Sequence, residues 1–500
     1  MINTILLFLT CAAFSGIVIR VAIYLMRTFS ILDSSSEKHK LHDIQTPFIG
    51  GLGVLASLLI VLVAHHTIYS GIPPTWPTLV FCSLVIFMTG LIDDVFKLSY
   101  KIRFFSQFAV AIIMIFSAGL VVNNLGGLLW WDSLKFPEWI AVIFTTVAVI
   151  GGINAINMID GIDGLSGSIS LSSLLLIGVV TFVAGDQHEL LLSIALAGGV
   201  VGFLYHNLRF ASKRYARVFL GDNGSMLLGF ILSWLLIDVS QGSSPAMTPV
   251  TAIWLFSIPL MDTLTLMLRR MGNGHSPFMP DRYHLHHLFQ KAGFLVKEIT
   301  YSITLLHLFF GFIGLIGLYL HVPEYIMLLG FLFVFTGYLY LTWRPHRFVS
   351  MLRYLRILIS GAWLGFARTA SSGTFSDNYD AKECENLLKI INEELEHDTD
   401  FSIQIFKQPS PDGNPTQRFV LILHIWFTKE ECVSQEKLAQ CIESTQQRLK
   451  KKCDIQLRRL MARNKDLDLK SCISFHPFGE ELTESRRNLG PQALTFEIMR

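Results

Sequence analysis

The stretch "WIAVIFTTVAVIGGINAINMIDGIDGLSGSISLSSLLLIGVVTFVAG", Trp139 to Gly185, sets two long apolar runs around a short polar insert, Asn154 to Leu165. Each run has about the length that a helix needs to cross a bilayer, roughly 20 residues. The insert carries Asn154, Asn157, Asp160 and Asp163 at three-residue intervals. Carboxylates at a membrane boundary are disfavoured unless they are paired, hydrated or bound to a metal. Two membrane spans joined through an acidic hinge is therefore the local reading, and the rest of the chain extends it.

The 500 residues are 52% hydrophobic and 16% charged, with a mean hydropathy of +0.49. The apolar residues come in blocks, which excludes an ordinary soluble domain. Apolar windows fall near 4–26, 48–69, 76–92, 104–122, 139–156, 165–184, 189–206, 224–239, 248–268, 300–320 and 324–343. The expected fold is an all-α polytopic membrane protein of about eleven transmembrane helices. The first run has no basic flank before it and no small-residue cleavage site after it, so it reads as a retained helix. One set of alternate loops carries Lys38, Lys40, Lys97, Lys101, Arg103, Arg209, Arg270, Arg282 and Arg347 among others, whereas the opposite set carries only Lys135. By the positive-inside rule the N-terminus faces out and the C-terminus faces in. The net charge of +2 gives no ground for nucleic-acid binding.

Three segments follow: a transmembrane domain over 1–345, a basic amphipathic linker over 346–370 suited to an anionic leaflet, and a cytoplasmic α+β domain over 371–500. In the last, "FSIQIF" and "RFVLILHIWF" read as strands around the turn-rich "PSPDGNP", and "SQEKLAQCIESTQQRLKKKC" has helical periodicity. The cysteines show no C-x-x-C spacing and read as free thiols.

The unusual polar residues gather at the basic ends of spans. If the span continues as a helix, neighbouring members of the quartet Asn154, Asn157, Asp160 and Asp163 share one face. A solvated helix end is the plain alternative. Asp93 and Asp94 end the third span, with Lys97 one turn on; this is either a structural ion pair or a magnesium or phosphate site. Asp222, between two glycines in "FLGDNGS", either caps the eighth span or brings a metal to phosphate oxygens held by free amides. "DRYHLHHLF" carries Arg282, His284, His286 and His287. It lacks the spacing of zinc helices and fits better as a sugar or diphosphate reader, with a structural cytoplasmic loop as the plain alternative.

Taken in order, "DDVFK", "NAINMIDGIDGL", "FLGDNGSMLLG" and "DRYHLHHL" resemble the polyprenyl-phosphate N-acetylhexosamine-1-phosphate transferases, and most nearly the bacterial UDP-GlcNAc:undecaprenyl-phosphate type. The resemblance covers roughly residues 1–345. It implies transfer of GlcNAc-1-phosphate from UDP-GlcNAc to undecaprenyl phosphate with release of UMP, aided by Mg²⁺ or Mn²⁺, at the cytoplasmic face of a bacterial inner membrane, to initiate a cell-surface polysaccharide. By position, Asp93 and Asp94 would assist the lipid phosphate, Asp93 as base. Asp222, with Asp94, would ligate the metal. Asn157, Asp160 and Asp163 would line the nucleotide site, with Asp160 and Asp163 in the catalytic group. Phe219 would stack on the base beside Asn207. Lys40 and Lys97 would lie near substrate, and Arg282, His284, His286 and His287 would read sugar and diphosphate. Lys97 stands where some relatives place a third acid, and the tail has no match. A homodimer and a protein partner for the tail stay open. The alternatives are the same chemistry on another UDP-N-acetylhexosamine, or a transporter.

Overall fold

The computed structural model describes residues 2–28, 46–128, 133–209, 216–277 and 283–356, and four strands between 399 and 498. Lys40, Arg282, the linker residues from 357 onward and the helix expected over 434–453 lie outside the described residues. The chain divides into two units, one of Met1–His287 and Leu295–Trp343, the other of Leu288–Phe294 and Arg344–Arg500.

The elements run α1 (Ile2–Thr28), α2 (Gly51–Tyr69), α3 (Trp76–Phe96), α4 (Tyr100–Ala118), α5 (Glu138–Ile159), α6 (Leu165–Ala184), α7 (Gln187–Asn207), α8 (Gly221–Ser240), α9 (Pro249–Leu255), α10 (Ser257–Gly272), α11 (Leu285–Lys291), α12 (Val296–Tyr319) and α13 (Glu324–Trp343). Among the described residues, ten of these helices are long and apolar enough to cross a bilayer. That is the polytopic architecture expected from the apolar windows. The span expected as one helix over 248–268 is instead α9 and α10, bent by 84°. Pro259 explains the break: it has no N–H to offer Leu255, so the helical ladder stops there. The freed Leu255 carbonyl accepts from Ser173 Oγ at 2.9 Å, and that hydroxyl also meets His307 Nε2 at 2.9 Å.

Within the first unit α8 is the innermost span, with 94% of its most apolar window buried, against 11% for α13. It packs on α3 and α5, while α7 packs on α1, α2 and α6. The α3–α8 approach depends on Gly90. A methyl group there would lie 2.5 Å from Asn223 Cα and N, too close to backbone that has no freedom to yield. Glycine at this point lets the end of α3 lie directly over the start of α8.

In the second unit, a helix runs over 345–356, and Arg353 Nη2 donates to Lys291 O at 3.0 Å. Strands β1 (Thr399–Gln408), β2 (Gln417–Phe427), β3 (Leu467–His476) and β4 (Leu494–Ile498) form one sheet in the order β3-β2-β1-β4. β1 and β2 pair antiparallel from Thr399↔Phe427 to Gln408↔Arg418, as the turn-rich stretch between them suggests. β3 joins β2 in parallel, and β4 joins β1 antiparallel.

Candidate active site

The helix α5 stops at Ile159, and Asp160 turns out of it. The quartet therefore does not keep to one helical face. Gly164, at φ +82°, supplies the left-handed residue that ends the turn and starts α6. Asn207 holds this turn from α7: its Oδ1 accepts from Gly164 N at 2.6 Å, and its Nδ2 donates to Val218 O at 2.8 Å. Asp163 accepts from Arg209 Nε at 2.5 Å, and its backbone carbonyl accepts from Thr300 Oγ1 at 3.1 Å. Asn154 points elsewhere, to Gln107 Oε1 at 2.8 Å.

Asp94 crosses from α3 to cap α8. Its carboxylate accepts from Asp222 N at 2.9 Å, from Asn223 N at 3.1 Å and from Asn223 Nδ2 at 2.6 Å. The expectation that free amides at this helix start await phosphate oxygens gives way here, because a carboxylate from another span occupies them. Asp222 itself accepts from Asn157 Nδ2 at 2.6 Å, and the same amide reaches Ser225 Oγ at 2.9 Å. Behind this pair Asp93 is 5% exposed and bonds Arg103 Nη1 at 2.9 Å. The same guanidinium lies 4.0 Å from Asp222 Oδ2. Arg103, from the first turn of α4, is thus a cation beside the acid pair. Lys97 is the left-handed cap of α3, at φ +50°, its N–H donating to Asp93 O.

These elements enclose a cavity of about 320 Å³ lined by Asp94, Asn157, Asp160, Asp163, Asn207, Phe219 and Asp222, together with Phe48, Gly161, Ile162, Leu220 and Gly221. That volume lies within the range of small-ligand sites, ~300–1,000 Å³. Phe48 and Phe219 face each other with ring centroids 5.2 Å apart, joined by a short backbone bridge. Seven of the residues expected from sequence therefore meet in one place. His284 and His287 do not line it, and His286 reaches its edge: a Cβ at Gly161 would overlap the His286 ring. His286 is 1% exposed, and burial, with the neighbouring His287, depresses its pKa to about 3.

Phe48, Arg103 and Asn223, and Asp262, which accepts from His284 Nδ1 at 2.8 Å, were absent from the sequence reading of the site. Asp262 had a visible signal, a lone acid inside an apolar window. Phe48 had none, since an aromatic residue before a span is unremarkable.

The residues fit a hard divalent cation. Among the described residues no group of three or more His, Cys, Asp or Glu could by itself hold a metal. Mg²⁺ needs only one or two carboxylates when substrate phosphates and water complete its shell. The charge favours it: burial raises Asp160 to about pKa 7, and the negative charges of Asp222, Asp94 and Asp163 push the same way.

Residues 76–240 match the pattern of glycosyl transferase family 4. The chain is 36% identical over 317 residues to the undecaprenyl-phosphate alpha-N-acetylglucosaminyl 1-phosphate transferase of Yersinia pestis, covering 62% of this chain and 85% of that one. It is 35% identical over 325 residues to the protein of the same name in Escherichia coli K12, with 63% and 85% covered. For Haemophilus influenzae the identity is 35% over 323 residues, with 63% and 88% covered. With such identity across most of each relative, the chain belongs to glycosyl transferase family 4, the family that includes these sugar-1-phosphate transferases.

Proposed function

We propose that the protein transfers GlcNAc-1-phosphate from UDP-GlcNAc to undecaprenyl phosphate, giving undecaprenyl-diphospho-GlcNAc and UMP. The observation that carries this is the meeting of Asp94, Asn157, Asp160 and Asp222, from three spans, at one cavity walled by Phe48 and Phe219. In the reaction an oxygen of the lipid phosphate attacks the β-phosphorus of the nucleotide sugar. The α–β anhydride bond breaks, UMP leaves with that bond's electron pair, and a new anhydride bond forms. One anhydride replaces another, so no further energy source is needed.

Such transfer is chiefly positioning and neutralisation of charge. Mg²⁺, when bound by Asp222 and Asp94, supplies positive charge to the diphosphate oxygens. Asn157 orients Asp222, and Asn207 orients the turn that carries Asp163. Phe219 offers a face for the uracil, with Phe48 beside it. Asp93, behind the Asp94 and Asp222 pair, is the candidate base for the residual proton of the lipid phosphate, whose second pKa of about 6 leaves little to remove near neutrality. Arg103 Nη1, 2.9 Å away, holds the Asp93 carboxylate in place for this role. The motif of Arg282, His284, His286 and His287 serves the sugar and diphosphate, with His286 at the cavity edge. The basic loops support an orientation with this end of the spans at the cytoplasmic face of a bacterial inner membrane, the N-terminus out and the C-terminus in.

The test is UMP release by the purified protein in detergent with UDP-GlcNAc, undecaprenyl phosphate and Mg²⁺. Release that needs all three is the expected result. Release only with another UDP-N-acetylhexosamine would keep the chemistry and change the sugar. Silence with every nucleotide sugar, from folded protein, would reject the transferase reading in favour of a transporter.

A further inference from the structure

Asp262 lies in α10, within the apolar stretch after the break, and is 2% exposed. A carboxylate in such surroundings is tolerated when its oxygens are engaged. Three donors converge on it: Leu285 N reaches Oδ1 at 3.0 Å, Tyr338 OH from α13 reaches Oδ1 at 2.8 Å, and His284 Nδ1 reaches Oδ2 at 2.8 Å. A carboxylate is an acceptor only, so the ring nitrogen touching it carries the proton. His284 is therefore held with its hydrogen on Nδ1, and Nε2 is left for other partners. The ring is 6% exposed and stacks on His286, with centroids 5.6 Å and planes 9° apart. His286 in turn packs on Gly161 at the cavity wall.

Stability alone gives little reason for this acid. A well-packed apolar residue in place of a buried charge is often as stable or more so. What the carboxylate supplies is one ring orientation and one tautomer.

We propose that Asp262 is a positioning residue for the transfer reaction: it sets the tautomer and orientation of His284 and, through the stacked His286, the cavity wall at Gly161. Leu285 N and Tyr338 hold the carboxylate in turn. The proposal rests on the transferase reading given above.

Asp262→Asn separates positioning from packing. Leu285 N and Tyr338 OH both donate to one oxygen, so the amide oxygen takes that place and the NH₂ group turns to His284. A donor there strips the proton from Nδ1 and moves it to Nε2. Full-length protein carrying ring-¹⁵N histidine, in lipid nanodiscs without substrate, reports this directly by NMR, with His284→Gln assigning the signal. The expected result is a proton on Nδ1 in the parent protein and on Nε2 in Asp262→Asn. UMP release should fall about 10- to 100-fold, as for other histidines robbed of an orienting carboxylate, with a near-parental melting temperature. Tyr338→Phe, which removes one donor to the carboxylate, should keep the Nδ1 tautomer and lose less activity than Asp262→Asn.

A parental His284 protonated on Nε2, or an Asp262→Asn enzyme within twofold of the parent, would overturn the proposal. If Asp262→Asn does not fold, the parental tautomer still decides. Because the tautomer is read without substrate, a protein that shows the Nδ1 form but never releases UMP overturns the transferase reading and leaves the assignment of His284 standing.

Discussion

Asp160 is where the charge of the site falls hardest. Burial lifts its pKa from 3.8 to about 7, and Asp222, Asp94 and Asp163 add to the shift. A carboxylate raised in the folded state contributes stability that is fully present below its unfolded value, near pH 4, and is lost as the pH rises through 7. In metal-free buffer the melting temperature should therefore fall between about pH 4 and pH 7 more steeply in the parent than in Asp160→Asn. Mg²⁺ added at the upper end should restore it in the parent, because a ligand that binds only the folded form stabilises by mass action. The same two carboxylates carry the activity prediction: Asp160→Asn and Asp222→Asn should each lower UMP release by about 10²-fold or more while the protein still inserts and folds. Near-parental turnover in either would remove that residue from the site. The acids themselves were legible, since Asp160 and Asp222 stand out in apolar sequence. That Asp94 also caps α8 was not, because the helix it caps begins 127 residues after it in the chain, at Gly221.

At the scale of the element, the site depends on how closely α3 can lie on α8. A Gly90→Ala methyl would press on Asn223 Cα and N, and overpacking of this kind destabilises by about 1–3 kcal/mol. Because Asn223 N and Nδ2 both bond Asp94, the displaced helix start should take activity with it. Urea or thermal unfolding and UMP release of Gly90→Ala would be compared; an unchanged midpoint with unchanged turnover would show that α8 can shift without effect on the site. The spans were visible as apolar windows because crossing a bilayer demands length and hydrophobicity, both linear properties of sequence. The broken α9–α10 pair carried its own warning in Pro259. What sequence alone lacked was the Ser173 hydroxyl that satisfies the freed Leu255 carbonyl, and so makes an 84° bend acceptable in an apolar setting.

At the scale of the whole chain, the relatives cover 62–63% of its length, and every described residue of the candidate site lies before the four-stranded sheet. Deleting residues 371–500 should leave UMP release within about twofold of the full chain, as for a separable domain; loss of activity with retained folding would make the tail part of the enzyme. An epitope placed after Arg500 should be protected from external protease in intact spheroplasts and digested once they are opened, which tests the orientation inferred from the basic loops. The sequence by itself determined the membrane class, the approximate spans and the acidic, amide and histidine motifs, because each is a local pattern of residue types. Only the tertiary structure decided which of those groups meet a ligand-sized cavity and which serve one another. Asp93 turns to Arg103 and His284 to Asp262, while Asn207 both lines the cavity and holds the Gly164 turn. Polar groups in an apolar interior must find partners, and those partners are chosen by helix packing across long separations in sequence.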